Sequence, residues 1–163
     1  MKDITLEVVK IDVYHEVQKV TAYVGQRMPG DADAYERINS TDADMELFEA
    51  YWTEACSQTL DLVKEFVVSA SGNGRDPSLP TSLEVNLNVS LSVPSNYDET
   101  LTDSLQTSLT NYFINYILSR WFAITNKQES QSYAAEASSH LDDAQRKLYY
   151  RKRPSRAALL NRG

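Results

Sequence analysis

The chain has 163 residues with 42% hydrophobic and 24% charged side chains, a globular balance sufficient for one domain with its own core. Five Gly and five Pro exclude a linker-rich or low-complexity chain, and no run reaches the ~20 apolar residues of a membrane helix. The net charge of −7 is unevenly spread: seven basic residues and no acid follow Ala144, leaving 23 acidic against nine basic residues before it, a poor surface for nucleic acid.

Met1-Lys2-Asp3-Ile4-Thr5 has no signal-peptide character. Ile4 to Val9 is apolar-rich and fits a short strand or the first turn of a helix. Val9, Val13, Val17, Val20 and Val24 recur at helical spacing and predict a helix that ends within Gly25 to Gly30, where Pro29 sits. Asp31 to Ser40 is a polar loop. Thr41 is a good N-cap with Asp44 three residues on, and Asp42, Asp44 and Glu46 crowd the first turn, where the helix dipole favours negative charge. The stripe Met45, Phe48, Trp52, Ala55, Thr59, Leu62, Phe66, widened by Tyr51 and Val63, predicts a long core helix.

Ser69 to Ser82 contains Ser71-Gly72-Asn73-Gly74 and reads as a loop. Leu83, Val85, Leu87, Val89, Leu91 and Val93 then alternate with Glu84, Asn86, Asn88, Ser90 and Ser92, predicting a strand of roughly 36 Å at ~3.3 Å per residue. Such a strand needs a hydrogen-bonded neighbour, expected in the segment Phe66 to Ala70 or in an adjacent subunit. Its wet face (Asn86, Asn88, Ser90, Ser92) carries no cation.

Pro94 ends the strand, and Ser95 with Asp98 can open the next helix. Leu101, Leu105, Leu109, Tyr112 and Tyr116 begin its stripe. From Tyr112 to Ile124 the sequence is apolar nearly all round, which predicts burial on every side. In so small a protein that suggests a neighbouring chain, with Tyr112, Tyr116, Trp121 and Phe122 as the subunit interface. Asn126 is a plausible stop. Glu129 to Tyr150 is the last helix, with Tyr133, Ala137, Leu141, Ala144 and Leu148 on one face. Pro154 terminates it. The arm beyond is basic and aromatic: Tyr149, Tyr150, Arg151, Lys152, Arg153 and Arg156, followed by Leu159 and Leu160. It is expected to bind a partner and to be ordered only by that partner.

Little in the chain points to catalysis, and no cofactor is expected. Asp12 and His15 share one carboxylate-x-x-His spacing, whereas bundle di-metal sites need two with further carboxylates. Asp42-Ala43-Asp44-Met45-Glu46 lacks the glycine and terminal glutamate of a calcium loop and reads as helix capping. Ser71-Gly72-Asn73-Gly74-Arg75 lacks the Lys-Ser/Thr of a phosphate loop. Cys56, the single cysteine, cannot close an internal disulfide; it fits a reducing compartment and reads as a buried structural thiol.

These patterns predict a mainly α protein: a four-helix bundle over residues 1–150, with a long β-strand or β-hairpin inserted near residues 65–93, and a basic C-terminal arm over residues 151–163. The chain resembles small structural proteins of crAss-like and related phages of gut Bacteroidales, and the short helical head–tail connectors that bind beneath the portal. The resemblance rests on the helix opened by Thr41-Asp42-x-Asp44 with Phe48-x-x-x-Trp52-x-x-Ala55-Cys56, then the alternating strand. It continues through Asn96-Tyr97-Asp98-Glu99-Thr100-Leu101-Thr102-Asp103-Ser104-Leu105 and Asp142-Asp143-x-x-Arg146-Lys147-Leu148-Tyr149-Tyr150-Arg151-Lys152-Arg153-Pro154. It implies that the four-helix bundle is connector-like and that the chain is a non-enzymatic virion protein of the neck or tail region, assembled in the host cytoplasm as a homo-oligomer, a twelve-fold ring. Its partners would be the portal and other neck or tail proteins, with DNA passing through the channel without sequence-specific binding and no membrane involved. The uncharged strand face would then line the channel and let DNA slide. The long strand departs from the simplest all-helical connectors. Two rivals remain: a nucleic-acid-binding regulator using the basic tail, and a helical metal-binding bundle.

Overall fold

The computed structural model describes residues 1–27, 44–74 and 83–154. The chain opens with strand β1 (Lys2–Val8), in which Ile4, Leu6 and Val8 are buried while Asp3 and Thr5 are exposed. That alternation makes this stretch a strand rather than a helical turn. Helix α1 (Lys10–Arg27) follows, with Val13, Val17 and Val24 buried beside Tyr14 and Thr21. The valine stripe therefore faces the core, and packing holds a helix that valine's stiff side chain does not favour on its own. The helix is described as far as Arg27. Pro29, Gly30, the Asp31–Ser40 segment and the Thr41 cap lie outside the described residues.

Helix α2 (Met45–Val63) buries Phe48, Glu49, Tyr51, Trp52, Ala55, Cys56, Thr59 and Val63. It ends before Phe66, where a turn is closed by the Phe66 N–H donating to Val63 O at 2.9 Å. Strand β2 (Val67–Ser71) follows, so Ser69 to Ser71 are not the loop that their composition suggests. Residues 68–71 are exposed on both faces and show no alternation to read.

Strand β3 (Leu87–Val93) lies between β1 and β2 and is antiparallel to both. Val8 pairs with Leu87, Leu6 with Val89, Ile4 with Leu91 and Lys2 with Val93; on the other side Val67 pairs with Leu91 and Ser71 with Asn88. The expected partner near Phe66 to Ala70 is β2, but the N-terminal strand is a second one. β2 and β3 are thus the antiparallel pair expected near residues 65–93, and β1, which opens the chain, adds a third strand that was not expected. The strand is also shorter than its pattern. Leu83 to Asn86 lie outside the sheet, and Val85 is 50% exposed. Alternation continues past Leu87, but β1 ends opposite it at Val8 and leaves Asn86 no partner strand. Leu87, Val89, Leu91 and Val93 face inward, and burial of such a side chain stabilises by about 1.5–3 kcal/mol.

A short 3-10 turn (Glu99–Leu101) leads into helix α3 (Thr102–Thr125). Asp98 caps the turn: its Oδ1 accepts from the Thr100 N–H at 3.1 Å and from the Thr100 hydroxyl at 2.7 Å. Asn126 breaks the helix as expected, its backbone extended and its N–H donating to Phe122 O at 2.8 Å. Helix α4 (Lys127–Tyr149) then runs back along α3. Among the described residues the fold is four helices with a small three-stranded antiparallel sheet. α3 is its centre, packed along α4 and touching α1, α2 and β1.

Candidate interaction surfaces

The basic arm has an anchored root. α4 ends at Tyr149, and Tyr150 is already extended. The Tyr149 ring packs 5.4 Å from Phe66, and its hydroxyl donates to Glu65 Oε2 at 3.1 Å. The Arg151 guanidinium lies 5.8 Å from the Phe66 ring centroid and donates to Leu148 O and Tyr150 O, each at 2.8 Å. Arg151 forms an isolated antiparallel bridge with Tyr97, a fully buried side chain. The Lys152 N–H donates to Asn96 O at 2.8 Å, and its ammonium sits 3.2 Å from Asp98. The Thr100 hydroxyl bond, aided by Lys152, holds the Asp98 carboxyl below the usual carboxylate range.

The expectation that everything from Tyr149 onward awaits a partner is therefore wrong for Tyr149 to Lys152. Their own body holds them, because Phe66, Tyr97 and Asp98 form a ready dock at the end of α4. Arg153 and Pro154 are exposed. Arg156, Leu159 and Leu160 lie outside the described residues.

The aromatic run of α3 is covered largely within the chain. Tyr112, Trp121 and Phe122 are buried, and Tyr116 is half-buried. Trp52 of α2 packs 4.7 Å from Phe113, and Tyr133 of α4 stacks 5.3 Å from Phe122. Tyr116 donates to Glu54 Oε2 at 2.7 Å; Arg120 pairs with the same oxygen at 3.2 Å and lies over the Tyr51 ring. Burial, then the Glu54 bond, pushes the Tyr116 hydroxyl up to about 12. A helix at the centre of its own fold needs no neighbouring chain to be apolar all round. That removes the reason for assigning these four residues to a subunit contact.

The polar face of the sheet differs from the predicted channel strip at one position. Asn88, Ser90 and Ser92 are half-buried on it, flanked by Glu7, Thr5 and Asp3 of β1 and by Ser71 and Ser69 of β2. Asn86 is not on it. Its Oδ1 accepts from the Lys10 N–H at 3.0 Å, satisfying a free donor at the start of α1, and its Nδ2 donates to Glu7 Oε1 at 3.0 Å. Gly72 closes over the same residue: at φ +76°, a Cβ there would stand 1.9 Å from Asn86 O. On the outer edge of β1, Gln106 of α3 accepts from the Glu7 N–H at 2.9 Å.

The charged interior holds a pair that the sequence reading missed. Lys10 Nζ is 2.5 Å from Glu49 Oε1, with side chains only 6% and 4% exposed. The contact is an ion pair without hydrogen-bond alignment, since Glu49 Oε1 has no hydrogen-bond partner. The ammonium also lies 5.5 Å from the Trp52 ring centroid. Glu49 does carry a signal: with Met45, Phe48 and Trp52 it occupies the i, i+3, i+4, i+7 face of the core stripe, where a charge demands a partner. Cys56 is buried nearby, and burial pushes its thiol up to about 12, far from a reactive thiolate. His140 pairs loosely with Glu136 at 3.8 Å, while Asp143 is engaged by Lys147 at 2.6 Å and Ser108 at 2.7 Å. Among the described residues no group of three or more His, Cys, Asp or Glu is placed to hold a metal ion, and no helix is long and apolar enough to cross a membrane.

Grooves open to solvent lie among the described residues. One, of about 410 Å³, lies where α1, α3 and α4 meet; Asp12 and Glu16 stand on one wall, Asn111 and Asn115 on another, above Ile114 and Leu118. The second, of about 310 Å³, lies beside the arm root between Asp98, Leu101, Arg146, Lys147 and Tyr150. Compared with known proteins, the chain matches no family model, no curated protein and no solved structure.

Proposed function

We propose that this chain is a structural virion protein, a head–tail connector subunit whose copies form a ring joining portal to tail around the DNA channel. The helical body is the ring's wall, and the basic arm is its link to the next protein. One observation carries the reading: the arm leaves an acidic body from a fixed root, held by Phe66, Tyr97, Asn96 and Asp98. A cationic segment launched from a fixed point suits docking on a complementary surface, with charge setting orientation more than affinity. The hydroxyl- and acid-bearing sheet face suits a wall that DNA passes without binding.

The test is co-expression with the portal protein encoded in the same genome, followed by native mass measurement. The expected result is a ring of this chain bound to the portal ring, in a twelve-fold stoichiometry, lost when residues 151–163 are deleted. A chain that stays monomeric and ignores the portal, yet binds DNA with a steep salt dependence, overturns this in favour of a nucleic-acid-binding regulator.

A further inference from the structure

We infer that the groove between α1, α3 and α4 receives the basic C-terminal segment of a second copy of this chain, so that copies join head to tail. The inference rests on the connector reading and names the contact that would build its ring. The groove's chemistry selects a cation with an apolar neighbour. Asp12 and Glu16 stand one turn apart on α1; Glu16 is paired with Lys19 at 2.9 Å, whereas among the described residues Asp12 forms no ion pair and is the carboxylate open to an incoming cation. Asn111 and Asn115 add amide groups, while Ile114 and Leu118 form an apolar floor. Residues 153–163 supply the complement: Arg153, Arg156 and Arg162, with Leu159 and Leu160 between them and no acid.

Geometry favours the second copy over the chain's own arm. The last held contact, Lys152 N–H to Asn96 O, carries the arm past the N-terminal end of α3. The groove lies at Asn111 to Leu118, about 14–24 Å further up that helix at ~1.5 Å per residue, so a chain filling its own groove must double back. A donor at one end of the molecule and an acceptor along its side is a heterologous contact, the kind that closes into a ring when the rotation allows.

The test uses the full-length chain, alone and with the portal, followed by sedimentation velocity at low and high salt. Asp12→Lys with Glu16→Lys, and separately Arg153→Glu with Arg156→Glu, should each weaken self-association by about tenfold or more, with circular dichroism unchanged. Combining the two charge reversals should restore it. Mixing decides between copies: a chain lacking residues 153–163 and a chain with the reversed groove should each stay monomeric but pair with one another, because one supplies an intact groove and the other an intact arm. If no mixed species forms, the second-copy contact is wrong. If the wild type assembles and the groove reversal assembles equally well, the groove assignment falls and the connector reading stands. If the wild type assembles neither alone nor on the portal, both fall.

Discussion

Replacing Lys10 with Met is the sharpest test of how this core is held together. The substitution keeps an unbranched apolar stem against Trp52 and removes only the ammonium beside Glu49. At 2.5 Å and an effective dielectric of ~20, the attraction is about 7 kcal/mol. Desolvating two ions costs several kcal/mol each, so the intact pair comes close to balance. The single variant does not, because it leaves the Glu49 carboxylate buried without a counter-charge, a loss of about 3–5 kcal/mol. A chain of this size has ~5–15 kcal/mol in all. With an m-value near 2 kcal/mol/M in urea, the unfolding midpoint should fall by about 1.5–2.5 M, read from Trp fluorescence and circular dichroism. The double variant Lys10→Met, Glu49→Leu should recover to within about 1 kcal/mol of the wild type. A single variant costing under ~1 kcal/mol, or a double variant as unstable as the single, refutes the assignment of a buried, uncompensated charge.

Asn86→Leu should cost about 1–3 kcal/mol in the same urea assay, because it strips the Lys10 N–H and the Glu7 carboxylate of a partner at once; no measurable change would show the lock to be idle. Gly72→Ala should destabilise by more than about 1 kcal/mol through both its positive φ and the collision with Asn86 O, and an unchanged midpoint argues against that close approach. Cys56 should resist thiol reagents at pH 8 in the native protein and react only as fast as the chain unfolds. Its folded thiol is raised from 9.0 to about 12, so the neutral form is the one the fold favours. That contribution is intact below pH 9 and is lost as pH rises from 9 towards 12, a slope that Cys56→Ala should remove; rapid native labelling refutes it.

Much of this fold was legible where one face alternates with another. The valine stripe of α1, the aromatic stripe of α2 and the inward aliphatics of β3 all sit where their spacing puts them. What spacing cannot carry is the identity of the cover. The all-round apolar run of α3 signals complete burial but not its source, which is α1, α2, α4 and β1 of the same chain rather than a neighbouring one. Strand length failed for the same reason. Pattern extends β3 back to Leu83, but a strand ends where its partners end, and β1 stops at Val8. β2 was legible only as the neighbour that β3 requires near Phe66 to Ala70, because an edge strand exposed on both sides has no periodicity of its own. The Lys10–Glu49 pair was half visible: Glu49 lies on a core face, but nothing local marks a lysine 39 residues earlier as its partner.

The anchored root changes what the arm can be asked to do. An arm loose from Tyr149 onward would search a wide volume and lose much conformational entropy on docking, about 1–2 kcal/mol for each residue fixed. Tyr149, Tyr150, Arg151 and Lys152 are already fixed by Phe66, Tyr97, Asn96 and Asp98, so that loss is met in folding rather than in assembly. The same anchoring limits reach. Leu160 lies eight residues past Lys152, at most about 29 Å of extended chain, so any surface that takes the two leucines must stand within that distance of the dock. A partner in that shell meets the arm at a high effective concentration, and one beyond it cannot be met at all. Asp98→Asn removes the counter-charge of Lys152 at the root, while the backbone bridges at Tyr97 and Asn96 keep the arm's direction. Direction therefore depends on the chain's own path out of α4, and the charges on Arg153 and beyond remain available for whatever surface that path presents.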